Sequence, residues 1–220
     1  MTEVVRINAG CGPNPTIGWK NYDNSFSIIL ARRRELEAVL KAFGFINRQN
    51  VEFIEFVRNN DIEYADVSRH IPVADKSVDL IYTCHMVEHL DRDDVRDFLR
   101  EVRRVLKPNG ILRVVVPDIS LLAAAYMSHK DADVFVDATF MCQPRPRGLV
   151  QRIRFFLTGP RHHNWMYDGE SLSRLLSQNG FLEPLVLPPG KTTIPNPGNL
   201  DLFERSDQSV YVEARRDDKS

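Results

Sequence analysis

Apolar positions along the chain alternate between short continuous runs and a helical spacing. Val4, Val5 and Ile7 form a β-branched run that stops at a glycine turn, which predicts a buried first strand. A second strand is expected over residues 19–22, ending at Asp23. Leu36, Val39, Leu40 and Phe43 then recur at i, i+3, i+4 and i+7 behind Arg32, Arg33 and Arg34, and Gly44 follows. This spacing predicts an amphipathic helix with a basic start. A third strand is expected near residues 62–67 and a fourth over Val78 to Cys84. Asp91 is placed to cap a helix with Val95, Phe98, Leu99, Val102, Val105 and Leu106 on one apolar stripe, and "KPNG" is expected to end it. The run "ILRVVVP" at 111–117 reads as a fully buried strand. Beyond Asp118 the alternation lapses. "ISLLAAAYMSH" predicts a helix, an arginine-rich stretch broken by prolines follows, and a last helix carrying Leu172, Leu175 and Leu176 ends at "NGF". Two further strands, "LEPLVLP" and "SVYVEARR", flank a turn rich in Pro, Gly and Asn. Strands alternating with helices imply an α/β fold, doubly wound, with a mostly parallel sheet covered on both faces.

At 220 residues the chain suits one substantial domain, and a composition 43% hydrophobic and 27% charged is that of a globular protein. The formal net charge of -1 gives no general reason to expect nucleic acid. Cys11, Cys84 and Cys142 are odd in number and far apart, which suggests free thiols in a reducing compartment. The first ten residues have no signal-peptide pattern and no run approaches the roughly 18 apolar residues of a membrane span, so a cytoplasmic location is expected.

The stretch "NAGCGPNPTIGWKNYDNS" carries the first chemistry. In an open parallel sheet, ligands bind beyond the carboxyl ends of the strands. The first four expected strands end at Gly10 to Gly12, Asp23, Asp66 and Cys84 to His85, so one ligand could touch all four. Gly10 and Gly12 permit a sharp turn and close backbone approach, and Asp23 is placed to accept hydrogen bonds from a ribose diol. A dinucleotide fingerprint needs glycine where Pro15 stands, and no P-loop lysine follows. An adenosyl group without phosphates fits better than a pyrophosphate.

"VVRINAGCGP", "GWKNYDNS", "DVSRHIPVADKSVDLIYTCHMVEHL", "REVRRVLKPNGILRVVVPD" and "LSRLLSQNGF" appear in the order found in class I S-adenosylmethionine-dependent methyltransferases. The resemblance covers nearly the whole chain and is most specific over residues 66–118. Within the class, the sequence looks most like methyltransferases associated with bacterial surface-polysaccharide synthesis. The resemblance implies a Rossmann-like, seven-stranded, mostly parallel sheet with a C-terminal antiparallel hairpin and helical insertions. It implies one domain over 1–220, with acceptor-side insertions near 26–60 and 119–165. It implies S-adenosylmethionine as cofactor, with Ala9, Gly10, Cys11 and Gly12 along its methionine part. Asp23 would hold the ribose hydroxyls, Asp66 and the Val67 backbone would face the adenine, and Cys84 and His85 would border the sulfonium. Asn8 stands where the family's first strand commonly ends in an acidic residue, and Asn14 where a further glycine is common.

Methyl transfer needs an aligned nucleophile, exclusion of water and, for a hydroxyl, a base. His85, after the fourth strand, is the first candidate, or else a polar residue that shapes the pocket. His163, in "RHHNWMYDGESL", resembles the histidine of an H-x-W-M-Y-D signature in sugar-modifying relatives and is the second candidate. His162, Trp165 and Tyr167 are candidate acceptor contacts, while Asp168 is better read as a helix cap. His85, Glu88 and His89 in "HMVEH" occupy i, i+3 and i+4, and a similar cluster binds a divalent ion in small-RNA 2'-O-methyltransferases; "EH" is also common in metal-free relatives, and no metal is expected.

Between Ala138 and Tyr167 there is no acidic residue, yet Arg145, Arg147, Arg152, Arg154 and Arg161 are present. Such a segment could clamp an anionic group or rest on anionic lipid, and equally suits a solvated loop. The expected function is therefore O-methylation of a small-molecule or glycan acceptor, with no nucleic-acid partner. An N- or C-methyltransferase of another metabolite, or a cofactor-binding module without catalysis, are the alternatives.

Overall fold

The computed structural model of the protein describes residues 4–142, 148, 151–152 and 162–217. Its centre is a seven-stranded sheet in the order β3-β2-β1-β4-β5-β7-β6. The strands are β1 (Arg6–Ala9), β2 (Lys20–Asp23), β3 (Glu63–Tyr64), β4 (Val78–Cys84), β5 (Leu106–Pro117), β6 (Phe181–Leu187) and β7 (Ser209–Arg216). β1 to β5 are mutually parallel, whereas β7 runs antiparallel to both β5 and β6. This is the mostly parallel sheet that the alternation predicts, with the C-terminal antiparallel hairpin that the resemblance implies. Strand order reverses between β1 and β4, so their carboxyl ends open onto the crevice where such folds bind ligands.

Seven helices are described: α1 (Phe26–Ala31), α2 (Arg34–Ala42), α3 (Arg48–Arg58), α4 (Arg92–Val105), α5 (Ile119–His129), α6 (Ala132–Ala138) and α7 (Gly169–Gln178). Asp91 caps α4 by accepting from the amides of Asp93 and Asp94 at 2.9 and 2.8 Å. Its stripe of Val95, Phe98, Leu99, Val102 and Val105 is buried in the main core with Leu172, Leu175 and Leu176 of α7. Asp168 caps α7, accepting from the Ser171 amide at 2.7 Å in a capping box.

The structure differs from expectation in four places. Leu106 and "KPNG" belong to β5 rather than to the end of α4: Leu106 pairs with Val78, and the register shift between Val78 and Leu80 absorbs the extra residues. The expected third strand is only two residues long. Residues 26–60 form three helices instead of one, because Ser25 and the Asn47–Asn50 capping box start two short helices that periodicity alone does not reveal. Within α2, Leu36 and Leu40 pack against Leu30, Ile46 and Ile54, while Val39 and Phe43 stay exposed.

The two sheet faces are covered unequally. α4 and α7 bury one face. Opposite them, Trp19, Leu80, Tyr82, Ile111, Val115 and Tyr211 are packed by Ile194, Leu200 and Leu202 of the β6–β7 connection. α5 and α6 bury no residue and touch each other through Tyr126 and Phe135, ring centroids 5.4 Å apart.

A buried ion pair locks β5 to β7. Arg113 Nη1 donates to Glu213 at 2.6 Å, and both side chains are almost fully enclosed. Glu213 also accepts from Thr192 Oγ1 and from the amide and hydroxyl of Thr193. Burial raises the Glu213 pKa, but the bonds from Thr192, Thr193 and Arg113 outweigh it and hold the group below the usual carboxylate range. A depressed folded pKa contributes stability above the unfolded value, and that contribution is lost as pH falls through the folded one. Glu213→Gln is therefore expected to cost about 2 kcal/mol at pH 7, from one charge-assisted bond lost and an amide group set against donors. The gap between variant and wild type should shrink as pH drops below 4.5, the ordinary value of this group. Urea melts at both pH values check this; a gap independent of pH would contradict it.

Candidate functional site

The glycine turn begins where β1 ends. Gly10 and Cys11 donate their amides to the Tyr22 carbonyl at 2.8 and 3.0 Å, which bends the chain across the end of β2. A β-carbon on Gly10 would sit 2.5 Å from Met86 Cγ, and its φ of +72° favours glycine, so this residue serves a close approach. Gly12, at φ +50°, has no described atom within 4 Å of where a β-carbon would point, so its outer side faces open space. Asn8 is buried and gives its side-chain amide to Asn14 O and Thr16 Oγ1, bracing the loop after the turn.

Asp23 closes the turn from the next strand. Its Oδ2 accepts from the Gly12 amide at 3.0 Å and its Oδ1 from the Ser25 amide at 2.8 Å. Burial raises its pKa, and these two amides pull it back. A carboxylate has about four acceptor positions, so two remain for further donors. Ser68 donates to Asp66 at 2.6 Å, and Arg69 lies 3.6 Å from the same carboxylate. Val67 is buried, which leaves its backbone rather than its side chain for contact.

Cys84 ends β4 beside Tyr82, whose hydroxyl donates to Glu204 at 2.6 Å. Burial pushes both the Cys84 and Cys11 thiols above the ordinary range, which disfavours the thiolate in each. His85 follows at φ +51°, its amide held by Val115 O at 2.9 Å. His85 Nε2 lies 2.8 Å from Ser209 Oγ and Nδ1 lies 3.3 Å from an Arg205 nitrogen. Arginine only donates, so Nδ1 carries the lone pair and Nε2 the hydrogen. Burial first, then the charge of Arg205 and the neighbouring His163 and His89, lower the His85 pKa to about 3.

Behind His85 lies Glu88, 0% exposed, in the turn formed by Val87–His89. Its Oε1 is 3.5 Å from His85 Nδ1 and 3.9 Å from both His89 Nε2 and His163 Nε2. Neither carboxylate oxygen makes a well-formed hydrogen bond. Burial drives the Glu88 pKa up to about 8. His163 is lowered to about 4 by burial and by His89. His85, Phe140, His163 and Arg205 line a cavity of about 140 Å³.

The sequence candidates thus divide. Gly10, Gly12, Asp23, Cys84 and His85 gather at the carboxyl ends of β1, β2 and β4. His163 joins His85 at the cavity, whereas Tyr167 is buried in the main core, where its ring packs instead of walling a ligand. Trp165 is half-exposed under Arg92, whose guanidinium lies 4.7 Å from the ring centroid. His162 contributes its carbonyl, which bonds His89 Nδ1 at 2.9 Å. Arg152 is exposed, and Arg145, Arg147, Arg154 and Arg161 lie outside the described residues. Glu204, Arg205 and Ser209 were not singled out from the sequence. They come from the long β6–β7 connection and the start of β7, about 120 positions from the β4 residues they touch.

Residues 34–114 match a family described as a methyltransferase domain, a stretch that runs from α2 into β5 and excludes the glycine turn. A SAM-dependent methyltransferase from Methanosarcina mazei is 16% identical, with 99% of this chain and 94% of that one covered at a TM-score of 0.51. A SAM-dependent methyltransferase from Thermotoga maritima is also 16% identical, covering 98% of this chain and 84% of that one at a TM-score of 0.49. No curated protein matches the chain. At this identity the structural likeness establishes the Rossmann-like methyltransferase fold. The methyltransferase domain matched over residues 34–114, together with this fold, supports reading the protein as an enzyme, a methyltransferase with S-adenosylmethionine as cofactor.

Proposed function

We propose that the enzyme methylates an oxygen of a small, carbohydrate-like acceptor bearing negative charge, with His85 as the proton acceptor. The observation that carries this is His85 Nδ1, 3.3 Å from an Arg205 nitrogen, in a cavity next to the end of β4. Bound S-adenosylmethionine supplies a methyl group on a positive sulfur, and no covalent intermediate on the protein is needed. Ala9 to Gly12 would lie along its methionine part, Asp23 would take the ribose hydroxyls, Asp66 and the Val67 backbone would meet the adenine, and Cys84 and His85 would border the sulfur. The half-buried Asp23 carboxylate, with two acceptor positions left, and the open side of Gly12 suit such a ligand.

A hydroxyl must lose its proton as the new carbon–oxygen bond forms, and His85 is kept neutral to receive it. Arg205, exposed at the cavity, would pair with a phosphate or carboxylate on the acceptor. That pairing also offsets one cause of the low His85 pKa, making the imidazole a better base once the acceptor is bound. An acceptor of the kind used in surface polysaccharides meets these requirements. No described helix is long and apolar enough to cross a membrane, and the three cysteines are free, which agrees with a reducing compartment.

The test is product analysis with methyl-labelled cofactor against anionic sugars, their uncharged counterparts and small amines. A methyl ether formed preferentially on the anionic sugars is expected. A methylamine as the favoured product would replace O-methylation with N-methylation.

A further inference from the structure

We infer that Glu88, His89 and His163 bind one divalent metal ion of the imidazole-preferring kind, zinc first, beside the acceptor cavity. This goes beyond the methyl-transfer reading and does not depend on which atom is methylated.

The ligand atoms of these three residues all lie within 4.8 Å of one another. Glu88 Oε1 faces both imidazole Nε2 atoms at 3.9 Å. Tetrahedral zinc with bonds of roughly 2.0–2.1 Å holds its ligand atoms about 3.3–3.4 Å apart, so each imidazole must close on Glu88 by about half an ångström, and a pair at the 4.8 Å limit by about 1.4 Å. The proton inventory shows what is missing. His89 Nδ1 meets the His162 carbonyl, which can only accept, so Nδ1 carries the hydrogen and Nε2 presents its lone pair to Glu88. Glu88 is fully enclosed, and neither oxygen has a well-formed hydrogen bond. A carboxylate buried without a well-formed hydrogen bond is costly, and the His89 lone pair and the Glu88 carboxylate face each other with no described donor between them. A proton on Glu88 could serve one imidazole at most, whereas a cation serves all three ligands.

The surroundings hold the ligands in place. Asn164 and Trp165 give their backbone amides to the Glu88 carbonyl at 2.7 and 3.2 Å, and the Asn164 side chain donates to His89 O at 2.8 Å. His163 itself is anchored by its amide to Phe140 O at 3.0 Å. The segment carrying one ligand is thus tied to the turn carrying the other two. The His89–His162 bond is the outer-shell contact that orients a metal-binding imidazole. Two imidazoles and one carboxylate favour zinc or a similar transition ion over magnesium or calcium, which prefer all-oxygen sites. Three protein ligands leave a fourth position for water or an acceptor oxygen, and His163 already lines the cavity. His163 is then a ligand and not a proton acceptor, leaving that role to His85.

The experiment uses the full chain purified without a histidine tag. Metal content is measured by mass spectrometry, and zinc is titrated into chelator-stripped protein against a chromophoric competitor, with magnesium as a parallel arm. One zinc per chain, with a rise in melting temperature, is expected. Glu88→Gln should weaken zinc binding by at least about 100-fold, at or beyond the upper end of the 10–100-fold seen for outer-shell changes. Circular dichroism verifies that the variant is folded; if it is not, His163→Gln takes its place with the same expectation. Wild type that takes up no zinc, or folded variants that bind it as tightly as wild type, would overturn the inference. Saturation by magnesium in preference to zinc would overturn it too.

Discussion

Alanine at position 23 is expected to weaken S-adenosylhomocysteine binding by about 100-fold. The two Asp23 oxygens accept from the backbone amides of Gly12, in the glycine turn, and of Ser25, at the start of α1. If it receives both ribose hydroxyls, each charge-assisted bond contributes about 1.5–3 kcal/mol, and losing the pair gives roughly 3 kcal/mol or more. At 1.4 kcal/mol per decade, that is about two orders of magnitude in Kd. The substitution also frees two amides that fix the turn, so the loss includes preorganisation. Calorimetric titration of wild type and Asp23→Ala measures it directly. A change of less than about threefold would move the ribose elsewhere and with it the whole cofactor pose. Burial opposes the charge on Asp23 in the free protein, so cofactor affinity and not fold stability is where its removal should appear.

Asparagine at position 85 is expected to lower turnover by about 10³-fold, with S-adenosylhomocysteine affinity changed by less than about threefold. Asparagine is the informative replacement because His85 sits at φ +51°, a region that asparagine tolerates better than alanine. It can still donate toward Ser209 but cannot take a proton. Equal loss of binding and turnover would make His85 a pocket residue only. The pH profile supplies a second check with a definite sign. An ordinary histidine base becomes protonated, and activity falls, below pH 6.5, whereas His85 in the free enzyme is held at about 3. The wild-type kcat/KM should therefore have no acid limb at 6.5 attributable to this group. A limb there that disappears in His85→Asn would show that the imidazole titrates normally and that burial and Arg205 do not act on it as described.

The sequence determined a good deal of this protein by itself. Periodicity separates strand from helix wherever an element is long and one-sided: the α4 stripe from Val95 to Val105, the buried β5 run and the helix carrying Leu172, Leu175 and Leu176 all stand where the pattern put them. Glycine and aspartate at the strand ends were legible for the same reason, since an open parallel sheet exposes those ends on one side. Local signals were weaker where elements are short. α1 and α3 owe their starts to caps, and β3 is two residues that only the neighbouring strand holds extended.

What the tertiary structure decided is which distant side chains meet. Arg205 and Ser209 reach His85 because the β6–β7 connection takes the place of helices over one sheet face, and no spacing in the chain encodes that packing. Glu88, His89 and His163 converge because Asn164 and Trp165 bond the carbonyl of Glu88, across some 75 positions. The sequence grouped His85, Glu88 and His89 on an imagined helix. The chain instead makes a three-residue turn after a left-handed His85, which keeps His85 Nδ1 3.5 Å from Glu88 while setting it against Arg205 and Ser209, and His163 joins Glu88 and His89 from far along the chain. Proximity along the chain fixes backbone periodicity, but the burial of a carboxylate, and with it the chemistry of the groups around it, depends on how segments far apart in sequence close over it.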